Sequence, residues 1–215
     1  WSHNGNHKEF QNFIKLFLGS FLLLEFPFFF SDAFRMMVLE NREMDKLYWL
    51  FIDMEHGAID IASCYNMITA TSGSACSPVV RVMEPSIAFT KPVLDSGAMG
   101  VIFPMITSKE TAEAAVAAVR YPPAGERGWG PFYAPMRWQK KDSIEYYKSS
   151  DDIVIISLIE HIDAINNIEE ITKVKGIDVF FIAPMDLAAS MGYVGDRDHP
   201  EVKEAIARAE ACIKK

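Results

Sequence analysis

Short apolar runs recur along the chain and alternate with segments of helical periodicity. Most of the runs are apolar at consecutive positions, which is typical of strands buried on both faces of a parallel sheet. They predict five β-strands, at residues 47–53, 78–82, 99–105, 153–159 and 179–183.

Helical segments follow most of these strands. Pro85 suits the start of the second helix, and Ser108 can cap the third, where Glu110 and Glu113 favour its first turns. The predicted helices cover residues 60–71, 85–96, 108–120, 162–174 and 200–215. Repeated strand–helix alternation predicts a parallel sheet with helices outside it.

Two α/β architectures fit this alternation, a doubly wound sheet and a closed barrel. A doubly wound sheet often carries a glycine-rich phosphate turn, and no GxGxxG follows the early strands. Instead Asp53, Arg81, Glu160 and Asp186 stand at or just after strand ends. Several strand ends contributing to one site is typical of a (β/α)8 TIM barrel. We therefore expect one barrel domain over residues 1–215.

The two ends of the chain depart from a regular barrel. A barrel takes about 250 residues, and this chain stops within its last predicted helix, so a barrel truncated at the C-terminus is expected. Residues 1–46 form an atypical segment in which residues 12–24 are predicted as the first strand and its loop. The apolar run at residues 17–30 contains Glu25 and Pro27 and is too short to span a membrane.

Composition and cysteine spacing limit the binding partners and the cellular compartment expected for the protein. The chain has 215 residues, half of them hydrophobic, with net charge −8, which argues against nucleic acid or an anionic membrane as partner. Cys64, Cys76 and Cys212 form no CxxC pair. They predict reduced thiols packed in the core of a cytoplasmic protein. The alternative of a catalytic cysteine is disfavoured because no base adjoins any of the three.

Glu160 and Asp186 are the most informative pair. Each follows an apolar strand, and the two strands are consecutive, so the carboxylates are expected to converge at one edge of the sheet. Two hard oxygen ligands suit Mg²⁺ or Mn²⁺. The alternative is helix capping, by Glu160 at His161 and by Asp186 at a helix starting at Leu187. The backbone N–H groups from Met185 to Leu187 would also suit a carboxylate.

Three further positions are candidates for chemistry. Asp53 could hold His56 as a general base, or both could belong to a solvated acidic loop. Arg81 could bind a carboxylate or an enolate oxygen, or form a structural ion pair with Asp53 or Glu55.

The long segment at residues 121–150 is rich in proline, glycine and aromatic residues and is expected as a loop on the same face as the strand ends. Arg127 and Trp129 could form a wall of the site there. The alternative is a packed loop in which prolines and glycines only shape the backbone.

Several of these segments, in this order, resemble one family. They are residues 51–57 (Phe-Ile-Asp-Met-Glu-His-Gly), 78–81 (Pro-Val-Val-Arg), 101–105 (Val-Ile-Phe-Pro-Met), 120–128 (Arg-Tyr-Pro-Pro-Ala-Gly-Glu-Arg-Gly), 159–161 (Ile-Glu-His) and 181–192, from Phe181 to Gly192. The ordered set is similar to the HpcH/HpaI aldolase family, whose named member is 4-hydroxy-2-oxoheptane-1,7-dioate aldolase. The resemblance runs from about Trp49 to Lys215.

The resemblance implies a class II aldolase that joins pyruvate, as its enolate, to an aldehyde, or cleaves the product. It implies a divalent metal ion (Mg²⁺, Mn²⁺ or Co²⁺) on Glu160 and Asp186, and a homohexamer. Arg81 would hold the pyruvate oxygen, and His56, oriented by Asp53, would be the acid/base.

The chain departs from the family pattern at two positions. Leu158 stands where the founding members carry glutamine, and Ala183 where glycine is usual. The family's final strands and C-terminal helix are expected to be missing from residues 1–215. Two other functions remain open, related chemistry on oxaloacetate (decarboxylation or condensation) and a partial barrel without catalysis.

Overall fold

The computed structural model describes residues 49–74 and 76–214. Its strands are β1 (Trp49–Asp53), β2 (Ser77–Arg81), β3 (Gly100–Phe103), β4 (Val154–Ile159) and β5 (Val179–Ile182). Its helices are α1 (Ile61–Ala70), α2 (Ile87–Asp95), α3 (Lys109–Val119), α4 (Ala134–Arg137), α5 (Ser143–Ser149), α6 (Ile162–Asn166), α7 (Ile168–Ile171), α8 (Pro184–Ser190) and α9 (Pro200–Ile213). All five predicted strands are present. The strand and loop predicted for residues 12–24 lie outside the described residues, as does the whole of the segment 1–46.

The five strands form one parallel sheet in the order in which they occur in the sequence. A doubly wound sheet reverses its strand order at a switch point, whereas a barrel adds each strand beside the previous one. The order β1-β2-β3-β4-β5 is therefore that of a (β/α) barrel wall. The described residues establish an α/β fold with a parallel sheet.

The two faces of this sheet have different surroundings. The outer face packs against the helices through buried residues such as Ile52, Val80 and Ile155. The inner face carries a smaller apolar cluster of Val79, Ile102 and Leu158, with Ile156 and Phe181 packed against it. Side chains alternate between faces along a strand. Positions 53, 81 and 160 fall on the inner face by this alternation, so Asp53, Arg81 and Glu160 lie next to the apolar cluster of that face.

Helix starts follow the local signals in part. The predicted Ser108 cap is confirmed, because its hydroxyl accepts the Thr111 N–H at 3.3 Å and Thr111 returns the interaction in a capping box. The single helix predicted at residues 162–174 is two short helices that meet at Asn167. The Asn167 amide donates to the Thr107 carbonyl at 2.9 Å, a tertiary contact that the hydrophobic pattern does not reveal.

The segment at residues 121–150 lies at the opposite edge of the sheet from the one predicted. Trp138 Nε1 donates to the carbonyl of Gly97 at 3.2 Å, and the Arg137 guanidinium donates to the carbonyl of Cys76 at 2.5 Å. Cys76 directly precedes β2, and Gly97 lies three residues before β3. Because α3 runs back along the strands, the segment that joins it to β4 crosses the amino-terminal edge. It also contains α4 and α5 rather than loop alone.

Arg127 is the best buried cation of this segment. The residue is 1% exposed, and its Nη2 donates to Asp95 Oδ1 at 2.8 Å and to the Tyr146 hydroxyl at 3.1 Å. Its guanidinium carbon lies 4.5 Å from the centre of the Tyr121 ring. Such a cation ties α2, α5 and the loop after α3 together.

Replacing Arg127 by methionine is expected to destabilise the protein by about 3–5 kcal/mol, because it leaves the Asp95 carboxylate without its buried partner. Urea unfolding followed by circular dichroism measures the change. Arg208→Met is the control, since Arg208 is exposed, and it should change stability by less than about 0.5 kcal/mol. Equal stability of Arg127→Met and the parent would show that Arg127 does not hold this segment.

Candidate active site

The predicted site residues come from four strand ends. Asp53 and Arg81 are the last residues of β1 and β2 and face each other in the strand register. Glu160 directly follows β4, and Asp186 lies in the first turn of α8, after β5. All four therefore lie at the carboxyl edge of the sheet, where a parallel α/β barrel places its active site.

Asp53 and Arg81 form a two-pronged ion pair. Arg81 Nε donates to Asp53 Oδ1 at 2.9 Å, and Arg81 Nη2 donates to Oδ2 at 2.5 Å. Burial acts to raise the pKa of Asp53, but the hydrogen bonds and charge of Arg81 outweigh it, so the pKa lies below its usual value. The structural ion pair considered as an alternative role for Arg81 is thus present.

The loop after β1 wraps around the Asp53 carboxylate. Oδ1 also accepts the backbone N–H groups of Glu55 at 3.0 Å and His56 at 3.3 Å. A side chain at Gly57 would collide with the carbonyl oxygen of Asp53, so the tight turn requires glycine there. The loop is thereby fixed against the Asp53–Arg81 pair.

His56 is placed differently from the prediction. Asp53 was expected to orient its imidazole, yet the Asp53 carboxylate contacts the His56 backbone and the Arg81 guanidinium. The His56 side chain is 63% exposed, and its Nε2 lies 4.0 Å from Glu55 Oε2. The imidazole therefore reaches the site from its solvent side.

Glu160 is buried at the centre of the site. Its residue is 5% exposed, and its Oε1 accepts the Met105 N–H at 2.6 Å. Met105 has φ 54°, an uncommon left-handed conformation for a residue with a side chain. Glu160 does not cap the following helix, because His161 does so itself with its Nδ1.

Asp186 occupies the third position of α8. The helix begins at Pro184 rather than at Leu187, and its N-cap Ala183 has no side-chain cap, so the capping alternative for Asp186 does not hold. Met185 and Asp186 are both exposed in this first turn. The Asp186 carboxylate is consequently available to a ligand.

Glu55, Glu160 and Asp186 form what we call the carboxylate cluster. Burial is the main cause that raises the pKa of Glu160, and the negative charges of Glu55 and Asp186 raise it further. Burial likewise raises the pKa of Glu55, with a further contribution from Asp186. Glu160 and Asp186 follow the neighbouring strands β4 and β5, and Glu55 follows β1, so the three carboxylates share the carboxyl edge of the sheet. Sequence reasoning had placed Glu55 only as a possible partner of Arg81.

The charge of the site suits a divalent cation. Asp53 and the carboxylate cluster contribute four carboxylates against the one guanidinium of Arg81. Among residues 49–74 and 76–214 no group of three acidic, histidine or cysteine residues forms a ready-made metal cage. Magnesium is usually held by one or two carboxylates, with water and substrate oxygens completing its shell. Glu160 and Asp186 fit that requirement.

Three other predicted or noted residues lie outside this centre. Leu158 belongs to the apolar cluster of the inner face, with Val79 and Ile102, and lies two residues before Glu160. The structure does not bring Arg127 and Trp129 to the carboxyl edge. Trp129 lies 5.6 Å from Tyr121 and 6.0 Å from Tyr147 between ring centres, in the segment at the amino-terminal edge.

The cysteines agree with the sequence prediction of free thiols, with Cys212 half-buried against the core. Cys64 and Cys76 are free and buried, and burial raises the pKa of Cys64 to about 12 and that of Cys76 to about 11. Thiols of that kind are poor nucleophiles at neutral pH. Within the described part of the chain, no helix has the length and apolar character needed to cross a bilayer.

Comparison with known sequences gives consistent matches. The profile of the HpcH/HpaI aldolase/citrate lyase family matches residues 28–215, so the match begins before Trp49. The 2-keto-3-deoxy-L-rhamnonate aldolases of Salmonella schwarzengrund and Salmonella agona are 39% identical over 166 residues, which is 77% of this chain and 61% of theirs. The chain thus spans about three fifths of the length of these curated relatives.

Comparison with solved structures agrees. An HpcH/HpaI aldolase from Desulfitobacterium hafniense has a TM-score of 0.73 and 28% identity, covering 85% of this chain and 69% of that one. A protein of the HpcH/HpaI aldolase/citrate lyase family from Burkholderia cenocepacia has a TM-score of 0.72 and 30% identity, covering 85% and 71%.

Proposed function

This chain belongs to the HpcH/HpaI aldolase/citrate lyase family, and on that premise we propose that it is a class II aldolase. Its substrates would be 4-hydroxy-2-oxo acids, cleaved to pyruvate and an aldehyde or formed from them. The observation that carries the proposal is that Glu160 and Asp186 follow the neighbouring strands β4 and β5 at the carboxyl edge of the sheet, the same edge at which Arg81 ends β2. The name of the Salmonella relatives describes a 2-keto acid with a 3-deoxy carbon, which is the same substrate class.

Glu160 and Asp186 would hold a divalent cation, Mg²⁺, Mn²⁺ or Co²⁺. When bound there, the cation would supply Lewis acidity toward the keto and carboxylate oxygens of the 2-oxo acid and so make the protons on its carbon 3 acidic. Glu160 Oε1 is already held by the Met105 N–H, which orients the carboxylate without a second side chain. Its burial keeps water away and strengthens electrostatic interactions in the site.

Arg81 would stabilise the enolate. The Asp53 carboxylate accepts hydrogen bonds from Nε and Nη2 of the guanidinium, so the orientation of the planar group is fixed. The remaining N–H groups of Nη1 and Nη2 can then donate to the oxygen on which negative charge develops. Donors that are fixed before the reaction stabilise developing charge most effectively, because they need no reorganisation.

His56 would take and return the proton of the hydroxyl group on C4 of the substrate. In cleavage, a base takes the proton of the C4 hydroxyl, the C3–C4 bond breaks to release the aldehyde, and its electron pair forms the enolate. Protonation of that enolate at C3 gives pyruvate. An imidazole titrates near neutral pH and can take and return a proton. The exposure of the His56 side chain leaves its imidazole open to an aldehyde that approaches from solvent.

We also propose that the parallel sheet belongs to a closed (β/α)8 barrel and that the protein acts as a homo-oligomer on small molecules. The consecutive strand order and the apolar cluster of the inner face support the barrel. Oligomer size and a cytoplasmic location stay predictions.

Exchange of the pyruvate methyl protons with D₂O tests the proposal without knowledge of the aldehyde. Proton NMR is expected to show exchange with Mg²⁺ or Mn²⁺ and none after EDTA. A parallel sample with oxaloacetate distinguishes the aldolase from an enzyme of related chemistry. An oxaloacetate decarboxylase would convert oxaloacetate faster than it exchanges the pyruvate protons. No exchange by folded, metal-loaded protein would contradict the aldolase assignment.

A further inference from the structure

Glu55 is the one carboxylate beside Arg81 for which the mechanism above gives no role. Its Oε2 lies 3.0 Å from Arg81 Nη1, and the side chain is 19% exposed. Asp53 already occupies Nε and Nη2 from the other side. Glu55 therefore sits against the edge of the guanidinium that is left for a substrate.

The two carboxylates are held by Arg81 in different ways. Asp53 accepts two hydrogen bonds from the guanidinium and two from the backbone of its own loop. Glu55 Oε2 is buried and accepts no hydrogen bond within the described residues, so its attraction to Nη1 is a charge interaction without hydrogen-bond geometry. A buried acceptor without a hydrogen bond is costly, so Glu55 is the partner that is easier to displace.

The surroundings of Glu55 also oppose its negative charge. Burial raises its pKa, and the charges of Asp53 and Asp186 repel it, with Arg81 as the main opposing attraction. An anionic substrate that approached Arg81 would meet the same repulsion from Glu55 itself. Like charges at such distances lower affinity for the incoming anion.

We propose that Glu55 is an internal competitor of the substrate. Its carboxylate occupies the place on Arg81 Nη1 that an anionic oxygen of the 2-oxo acid takes, and binding of the acid displaces it. Glu55 thereby weakens binding and sets a higher KM for the 2-oxo acid. This inference rests on the proposed function, in which Arg81 binds that oxygen.

Binding of oxalate, an unreactive dianion that resembles the pyruvate enolate, tests the inference by calorimetry in the presence of Mg²⁺. Glu55→Gln removes the charge at nearly constant shape and is expected to bind oxalate about three- to tenfold more tightly than the parent. The KM for pyruvate in the exchange assay should fall by a similar factor, while kcat should not rise. A merely structural role of Glu55 would not lower KM.

Glu84→Gln is the matched control. Glu84 is an exposed acid shortly after β2 at the same edge of the sheet. Its substitution measures the effect of removing one negative charge at that edge, and it should leave oxalate affinity unchanged. The competitor role is overturned if Glu55→Gln binds oxalate no more tightly than the parent, including if neither binds, or if Glu84→Gln binds as tightly as Glu55→Gln.

Two provisions keep the result decisive. Glu55→Ala takes the place of Glu55→Gln, with the same expected direction, if the glutamine variant does not fold. Calorimetry requires no turnover, so it decides the role of Glu55 separately from the exchange assay of the parent, which decides the proposed function.

Discussion

Glu160→Gln is expected to abolish metal-dependent exchange of the pyruvate methyl protons. An amide loses the negative charge that holds a divalent cation, and the Lewis acidity of the cation contributes several kcal/mol. A loss of about 4 kcal/mol corresponds to about a 10³-fold slower reaction. Initial exchange rates at saturating Mn²⁺, measured by proton NMR, give the comparison.

The glutamine variant separates metal binding from folding. Its amide oxygen can still accept the Met105 N–H that Glu160 Oε1 accepts at 2.6 Å, and it buries no charge. Thermal stability without metal is therefore expected to be at least that of the parent, while Mn²⁺ affinity falls. Glu160→Ala should lose activity in the same way. Parental exchange rates in either variant would remove Glu160 from the metal site.

Arg81→Lys is expected to lower the rate of exchange by about 10²–10³-fold, which is the usual effect of removing one fixed donor from an oxyanion site. A guanidinium can bind Asp53 with two nitrogens and still present others to the enolate, whereas an ammonium is one point charge. Lysine would be drawn to Asp53 and Glu55 and leave the enolate without its donor. Rates across a range of pyruvate concentrations separate kcat from KM.

The control for Arg81→Lys is Arg208→Lys, at an exposed position on α9, with unchanged kinetics expected. Should Arg81→Lys keep the kinetics of the parent, the ion pairs with Asp53 and Glu55 would be the whole role of Arg81. The structural alternative considered from the sequence would then be correct.

Features that depend on local order were predictable from the sequence. Apolar runs located all five strands because burial on both faces leaves a continuous pattern, and Ser108 was recognised as a cap from its own neighbourhood. The prediction that Glu160 and Asp186 share an edge needed only parallel strands, since the ends of such strands lie together. Resemblance in ordered motifs indicated the family, which the profile match confirmed.

The sequence left open the features that depend on competition between distant groups, because it offered Asp53 both His56 and Arg81 as partners. Asp53 was expected to hold the His56 imidazole, three residues away, yet the guanidinium of Arg81 from the neighbouring strand takes its carboxylate. A charged fork with two hydrogen bonds is a stronger partner than a neutral ring. The same competition brings Glu55 into the site and leaves its side chain poorly satisfied.

The sequence by itself determined the strands, the parallel α/β class and the acids at the strand ends. These features depend on local patterns, namely apolar runs and the alternation of strands with helices. Only the tertiary structure decided the consecutive strand order, the partners of Asp53, and the edge at which residues 121–150 lie. That segment looked functional from its prolines, glycines and aromatic residues, but the direction of α3 carries it to the edge opposite the site. Position across a sheet depends on the path of the whole chain, and composition does not encode it.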